Sequence, residues 1–324
     1  MRAGSKRYMT ALALALVSFL TIEAAGQTRS LDETTRPERR GPVRSVTIPV
    51  TVRLPERRGE QAELQYIDAL TVLEDGEPQE ILATRGAPQA RLTLAVLIQD
   101  DLVGSVNNEI RGLAAFIRRL PPGSHVMVAY LRAGSLNVRQ KFTDNLERAA
   151  NALRIPTGSP GSAPYNPYAL ARDAIKKFES QPVGRRAVLL ISDGLDTSRG
   201  VESSTATQSI DLQRAINEAQ RRSVAVYSFY APSTGGTASG NQTLVSNGQG
   251  SLERLSSATG GRAFFQGTSA PVSFEPFLRD LDTLLARQFA LTYLSTHTKK
   301  GFHSIRIVAD LDEGSIHYPQ GYTR

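Results

Sequence analysis

Two stretches, Leu92-Thr-Leu-Ala-Val-Leu-Ile98 and Ala187-Val-Leu-Leu-Ile191, decide how the chain folds. Each is an almost unbroken apolar run, the pattern of a central parallel strand covered on both faces. Each opens into an acid-bearing loop. The first continues as Gln99-Asp100-Asp101-Leu102-Val103-Gly104-Ser105, the second as Ser192-Asp193-Gly194-Leu195-Asp196-Thr197. In sheets of this kind ligands sit at the carboxyl ends of the strands, so the two loops mark the candidate site.

Around the two runs the chain alternates strand and helix. Residues 106–120 place Ile110, Leu113, Ala114 and Ile117 on one helical face and stop at Pro121-Pro122-Gly123. Residues 124–131 and 136–142 form a hairpin, and a helix over 144–153 has Asp144 as its cap. Further helices are expected over 168–178, 207–222, 251–259 and 274–287, with a strand over 224–230. The Gly/Ser/Thr/Asn-rich stretch 232–250 reads as a mobile loop. The expected fold class is α/β: over residues 90–288, a doubly wound, Rossmann-like, mostly parallel sheet with helices on both faces. Short alternating segments in 43–89 and 289–324 read as antiparallel strands too short to be stable alone. They are expected to pack together as one β-sandwich-like module built from both flanks.

Residues 1–26 have the order of a secretory signal peptide: a basic start, an apolar run over 9–22, then Ala24-Ala25-Gly26. The polar, arginine-rich 27–42 reads as a flexible leader. Export to the periplasm or the extracellular space is expected, with no membrane span once the signal is cleaved; the alternative is an uncleaved anchor. The chain has no cysteine, so the exported fold is held without disulfides. Residues 1–58 carry 11 Lys/Arg against 5 Asp/Glu, and the remainder 27 against 26. The basic excess therefore belongs to residues 1–58, where Arg36, Arg39, Arg40, Arg44, Arg57 and Arg58 lie among few aromatics. No nucleic-acid platform is visible.

No residue pattern points to catalysis. His125, His297, His303 and His317 lack zinc-site spacing and read as solvated or strand-surface residues. There is no Gly-x-Ser-x-Gly turn, and the glycine-rich stretch after Pro232 lacks the lysine of a phosphate loop.

The order strand, acidic loop, helix, hairpin, strand-Ser192-Asp193-Gly194 and Ala258-Thr259-Gly260-Gly261 resembles the von Willebrand factor A-like (vWA) domain. Three further segments are similar to the secreted bacterial subset of that family, known chiefly from Acidobacteria: Val72-Leu-Glu-Asp-Gly-Glu-Pro-Gln79, Phe142-Thr143-Asp144 and Gly321-Tyr322. The resemblance implies a non-enzymatic module that binds a protein or cell-surface ligand at the carboxyl edge of its sheet. It also implies a divalent cation there, held by an Asp-x-Ser-x-Ser loop, a threonine and a later aspartate.

In the best register Asp101 stands at the first Asp, Ser105 at the second Ser and Asp193 at the last Asp, with Asp100 as a further carboxylate. Val103 replaces the first Ser and offers no oxygen, and proline stands where the threonine belongs, near Ser162-Ala163-Pro164-Tyr165-Asn166. Registers starting at Gln99 or Asp100 each lose a hydroxyl as well. Two readings stay open. In one, Asp101, Ser105, Asp193 and Asp100 hold a weak, water-rich Mg²⁺, or Mn²⁺ or Ca²⁺ in its place; the resident ion would want near-octahedral oxygens at about 2.1 Å. In the other, the acids cap nearby helices and no metal binds. Tyr165, Asn166, Tyr168 and Asp196 are the candidate partner-binding residues, because rigid aromatics beside an acidic edge suit protein contact; the alternative left open is that Tyr168 begins its helix buried and Tyr165 packs on the loop. Asp193→Ala is expected to weaken partner binding and leave the fold intact.

Overall fold

The computed structural model of the chain describes residues 43–53, 70–237, 240–265, 273–309 and 314–324. The expected signal and leader, and Arg36, Arg39, Arg40, Arg57 and Arg58, lie outside the described residues. Among the described residues no helix is long and apolar enough to cross a membrane.

Three strands come first: β1 (Arg44–Arg53), β2 (Thr71–Glu74) and β3 (Glu77–Arg85). The middle of the chain then runs β4 (Leu92–Gln99), α1 (Glu109–Arg119), β5 (His125–Arg132), β6 (Ser135–Thr143), α2 (Leu146–Asn151), α3 (Pro167–Lys176) and β7 (Arg185–Ser192). It continues with α4 (Ile210–Arg222), β8 (Ala225–Tyr230), α5 (Gln242–Ala258), β9 (Ala263–Phe264) and α6 (Glu275–Ala286). Four strands close it: β10 (Gln288–Ser295), β11 (Phe302–Val308), β12 (Ser315–His317) and β13 (Gly321–Thr323).

The middle strands form one sheet in the order β6-β5-β4-β7-β8-β9, parallel except for the edge strand β6. All eight residues of β4 and of β7 are buried, because helices cover both faces. Alternation along β4 divides the core. Leu92, Leu94, Val96 and Ile98 pack with Leu113, Phe116 and Ile117 of α1 and with Leu278 and Leu281 of α6. Ala95 and Leu97 face the opposite way, onto Leu170 and Ala174 of α3, Leu212 and Ile216 of α4, and Leu252 of α5.

The flanking strands form a second, antiparallel sheet in the order β12-β1-β10-β3-β2-β11-β13. β1 pairs with β10 from Arg44↔Ser295 to Thr51↔Gln288. Pro49 is accommodated because β12 reaches only residues 51–53 of the other side of β1, so the missing N–H breaks no ladder there. β3 pairs with β2 through its first three residues and with β10 through the rest, which hands the sheet from one half to the other. The halves curl toward each other over Val46, Ile48, Val50, Leu291, Tyr293, Ile305 and Ile307.

A polar knot ties the curl. Glu74, fully buried at the end of β2, accepts hydrogen bonds from Ser295 (2.9 Å) and from the Tyr322 hydroxyl (3.1 Å). His303 is buried rather than at the strand surface expected for it. Its Nδ1 lies 2.7 Å from Asp75 and its Nε2 2.8 Å from the Lys299 carbonyl. Both ring nitrogens face acceptors, which only the doubly protonated imidazolium can satisfy. Burial by itself would lower the His303 pKa; the Lys299 carbonyl, Asp75 and Glu74 outweigh it and hold it above the ordinary value. A pKa raised in the fold contributes stability that is complete below the unfolded value and is lost as pH rises through the folded one. His303→Gln is therefore expected to cost more at about pH 5.5 than at about pH 9, by denaturant unfolding. Equal losses at both pH values would show a neutral His303.

Two sequence expectations change. The stretch expected as a loop to residue 250 is helical from Gln242, its first turn capped by the Asn241 side chain accepting from Thr243 N and Leu244 N. The cap of α2 is Asn145, whose side chain accepts from Arg148 N, not Asp144.

Candidate functional site

At the carboxyl ends of β4 and β7 the last residues of the strands, Gln99 and Ser192, bridge the two loops. Ser192 Oγ donates to Gln99 Oε1 (2.5 Å), the Asp193 N–H reaches the same oxygen (3.3 Å), and Gln99 Nε2 donates to Asp101 Oδ1 (2.8 Å). A third loop, 231–237 after β8, lies over this bridge. Thr234 donates through N–H (2.8 Å) and hydroxyl (3.0 Å) to the Asp101 carbonyl, and the Val103 N–H donates to the Pro232 carbonyl (3.0 Å). Ser233 Oγ donates to Asp193 Oδ2 (2.5 Å), and Leu195 N–H to Asp193 Oδ1 (3.1 Å). Gly235 and Gly236 pass so close that a methyl on them would stand 3.5 Å from Asp101 Oδ2 and from Asp193 Oδ2 respectively.

The four expected cation residues divide. Asp101 and Asp193 come together but are buried, 1% and 3% exposed, with both Asp193 oxygens and one Asp101 oxygen accepting from protein donors. Burial, with the neighbouring Asp193 and Asp100 charges adding, pushes the Asp101 carboxyl up to about 6 against the pull of Gln99. Burial also raises Asp193, against its bonds to Ser233 and Leu195. Asp100 points elsewhere: Arg154 grips both its oxygens (2.6 and 2.9 Å), Thr157 N–H adds a third bond (3.1 Å), and Arg132 lies 3.5 Å away. Ser105 is exposed, at the start of a 3₁₀ turn over 104–108. Among the described residues no three His, Asp, Glu or Cys side chains converge as a metal would need. The donor set therefore fits a cation poorly: Asp193 spends both oxygens on Ser233 and Leu195, Asp101 spends one on Gln99, Asp100 is held by Arg154, and Ser105 stands apart on the surface.

Asp101 caps no helix, since the 104–108 turn begins at Val103 with no side-chain cap. Asp193 closes a local turn through Leu195 instead. Asp193→Ala would strand the Leu195 N–H and Ser233 hydroxyl in a dry site, so the substitution is expected to cost stability as well as any partner contact.

Of the four expected partner-binding residues, only Tyr165 is a free surface. It is 56% exposed and held at φ 59°, with its carbonyl accepting from Thr197 N–H (2.9 Å). Tyr168 is fully buried and donates to the Gly194 carbonyl (2.6 Å), because the second position of α3 faces the sheet. Asp196, 5% exposed, accepts from Ser198 and Ser209 and braces its own loop. Asn166 caps α3 through Ala169 N–H and donates to Asp211 (2.8 Å). These three shape the loop that carries Tyr165 and offer a partner little surface. Ile155 and Val201, 54% and 50% exposed, add apolar side chains on loops at the same edge.

Sequence reasoning missed Gln99, Arg154, Ser233 and Thr234. Gln99 carried one signal: it is a polar residue ending an otherwise apolar buried strand, a position that demands a hydrogen-bond partner. Arg154, Ser233 and Thr234 carried none, lying far along the chain from the acids they contact.

No protein-family model and no curated protein sequence matches the chain. Solved structures similar to it include an aerotolerance-related membrane protein from Bacteroides fragilis carrying multiple mutations to serine. That one is 11% identical with a TM-score of 0.40, over 60% of this chain and 98% of that one. BatB from Bacteroides thetaiotaomicron is 10% identical with a TM-score of 0.41, over 60% and 97%. A von Willebrand factor type A protein from Catenulispora acidiphila is 11% identical with a TM-score of 0.41, over 86% and 73%. Scores this low carry no argument about function, and the architecture rests on the strand order and register above.

Proposed function

We propose that the chain is a non-enzymatic, exported interaction module of the vWA-like type. A doubly wound domain over 90–288 presents its carboxyl edge to a protein or cell-surface ligand, braced by a sandwich-like module from 43–89 and 289–324. Metal contributes weakly or not at all. The observation that carries this reading is Tyr165, a large aromatic kept in the left-handed region on the surface, beside Asn166, Tyr168 and Asp196, whose polar groups are tied down. Such a conformation costs a non-glycine residue about 1–2 kcal/mol, a strain that persists where a side chain has work at that point. Acyl-transfer chemistry lacks its parts, since the Ser192 hydroxyl donates to an amide oxygen and has no base.

The test is capture from envelope extracts with wild type, Tyr165→Asp and Tyr165→Gly, each with and without EDTA. Both variants are expected to lose the captured partner, with EDTA making no difference. Tyr165→Gly is expected to be as stable as wild type or up to about 1 kcal/mol more so, because glycine occupies positive φ without strain. Retention of the partner by both variants would overturn the reading. Loss in EDTA alone would favour the cation-dependent form, in which a metal relieves the Asp101–Asp193 repulsion.

A further inference from the structure

A second surface lies at the other end of β7, six residues and so about 20 Å from Ser192. A groove of about 630 Å³ runs between the antiparallel sheet and the end of α4. Six arginines line it, Arg44, Arg85, Arg186, Arg221, Arg222 and Arg324, against one acid, Glu179. Glu179 is already paired with Arg222 (3.2 Å), and Arg221 with Glu218 (3.1 Å). The other four have no carboxylate among the described residues. Arg186, 5% exposed, spends its guanidinium on the carbonyls of Gln181, Pro182 and Arg222. The Arg324 guanidinium donates to the His297 carbonyl. The chain after residue 58 is close to neutral, so this is segregated charge and not an overall excess.

We propose that this groove docks an extended, carboxylate-bearing polypeptide segment of a protein partner. Every lining cation is arginine, whose planar fork takes a carboxylate through two parallel bonds, where lysine offers only a point charge. The charges sit in a recess between two layers, with Arg186 toward its floor, a shape that admits a chain and not a bilayer surface. Val46, Val183 and Tyr322 supply apolar wall between the guanidiniums, suited to side chains alternating with acids. Tyr322, 5% exposed and tied to Glu74, is not free to stack on a nucleobase. With Tyr165 at the opposite edge, the molecule would join two partners.

The probe is a fluorescein-labelled peptide of alternating Glu and Val, with alternating Gln and Val as its neutral counterpart, titrated with the full chain by anisotropy at low and at physiological salt. The Glu peptide alone is expected to bind, and more weakly as salt rises. The double variant Arg44→Glu with Arg85→Glu is expected to weaken it on the order of tenfold or more. Arg139→Glu with Arg148→Glu, the same charge change at other exposed positions, is expected to leave it within about twofold, and thermal melts check that both doubles fold. Should the groove double fail to fold, Arg44→Gln alone replaces it, with a weakening of about threefold expected. Equal losses in the two doubles, binding of the Gln peptide, or preference for anionic vesicles or an oligonucleotide over the Glu peptide would each overturn the proposal.

Discussion

Replacing Gly248 with alanine is expected to cost about 3 kcal/mol or more, while Gly250→Ala, two residues further along the same helix, is expected to stabilise by about 0.5–1 kcal/mol. The difference lies in what a methyl group meets. At Gly248 it would stand 2.0 Å from the Asp193 carbonyl oxygen and 3.2 Å from the carbonyl carbon. At Gly250 nothing lies within 4 Å. The neighbour at Gly248 is backbone, so no side chain can swing aside. The contact is reciprocal: Gly194, at φ +71°, would place its own methyl 2.4 Å from the Gly248 carbonyl oxygen and 2.7 Å from Leu252. Helix α5 and the Asp193 loop thus touch main chain to main chain.

The consequence reaches the site. The methyl of Gly248→Ala would drive the helix and the Asp193–Gly194 turn apart, and the share of that shift taken by the turn would strain the Ser233 and Leu195 bonds to Asp193. Urea unfolding of the two variants, with proteolysis of the 231–237 loop as a second readout, checks both steps. Wild-type stability in Gly248→Ala would mean that α5 is not seated against this turn.

Glycine also explains where the sequence was hard to read. Residues 242–250 are rich in Gly, Ser, Asn and Gln, the composition of a loop, yet they are the first half of a helix. At Gly248 the composition answers a need for close approach, and periodicity cannot distinguish that from flexibility. β4 and β7 were legible because burial on both faces leaves no polar position to break the apolar run. β9 and β13, two and three residues long, are too short for any pattern and exist only by pairing. The acidic loops were visible as acids, but not which way each points. Consecutive residues leaving a strand face opposite sides, so Asp100 turns to Arg154 and Asp101 toward Asp193. Tyr165 and Tyr168 were alike as letters; a loop puts one in water and a helix turns the other under the sheet.

Asp101→Asn is expected to stabilise the protein near pH 8 by about 1–3 kcal/mol, with the gain vanishing at about pH 4. The Asp101 carboxyl titrates at about 6 in the fold against a usual 3.8, chiefly because it is buried, and secondarily because Asp193 and Asp100 stand nearby. A raised acid favours folding while protonated. Its contribution is complete below the unfolded value and is lost as pH rises through the folded one, so at neutral pH the wild type carries a buried charge at a cost. Asparagine keeps the shape and can still present an oxygen to Gln99 Nε2, so it removes the charge and little else. Urea unfolding of both proteins across this pH span reads the difference directly; a variant equal to or weaker than wild type at pH 8 would mean that the carboxylate is solvated or neutralised. Repeating the measurement with Mg²⁺ separates those cases. No metal effect on either protein is expected, since Asp193 spends both oxygens on Ser233 and Leu195 and no third acidic or histidine side chain converges on the pair among the described residues. A midpoint that rises with Mg²⁺ in wild type and not in Asp101→Asn would instead show that the 231–237 loop opens and that a cation does the neutralising.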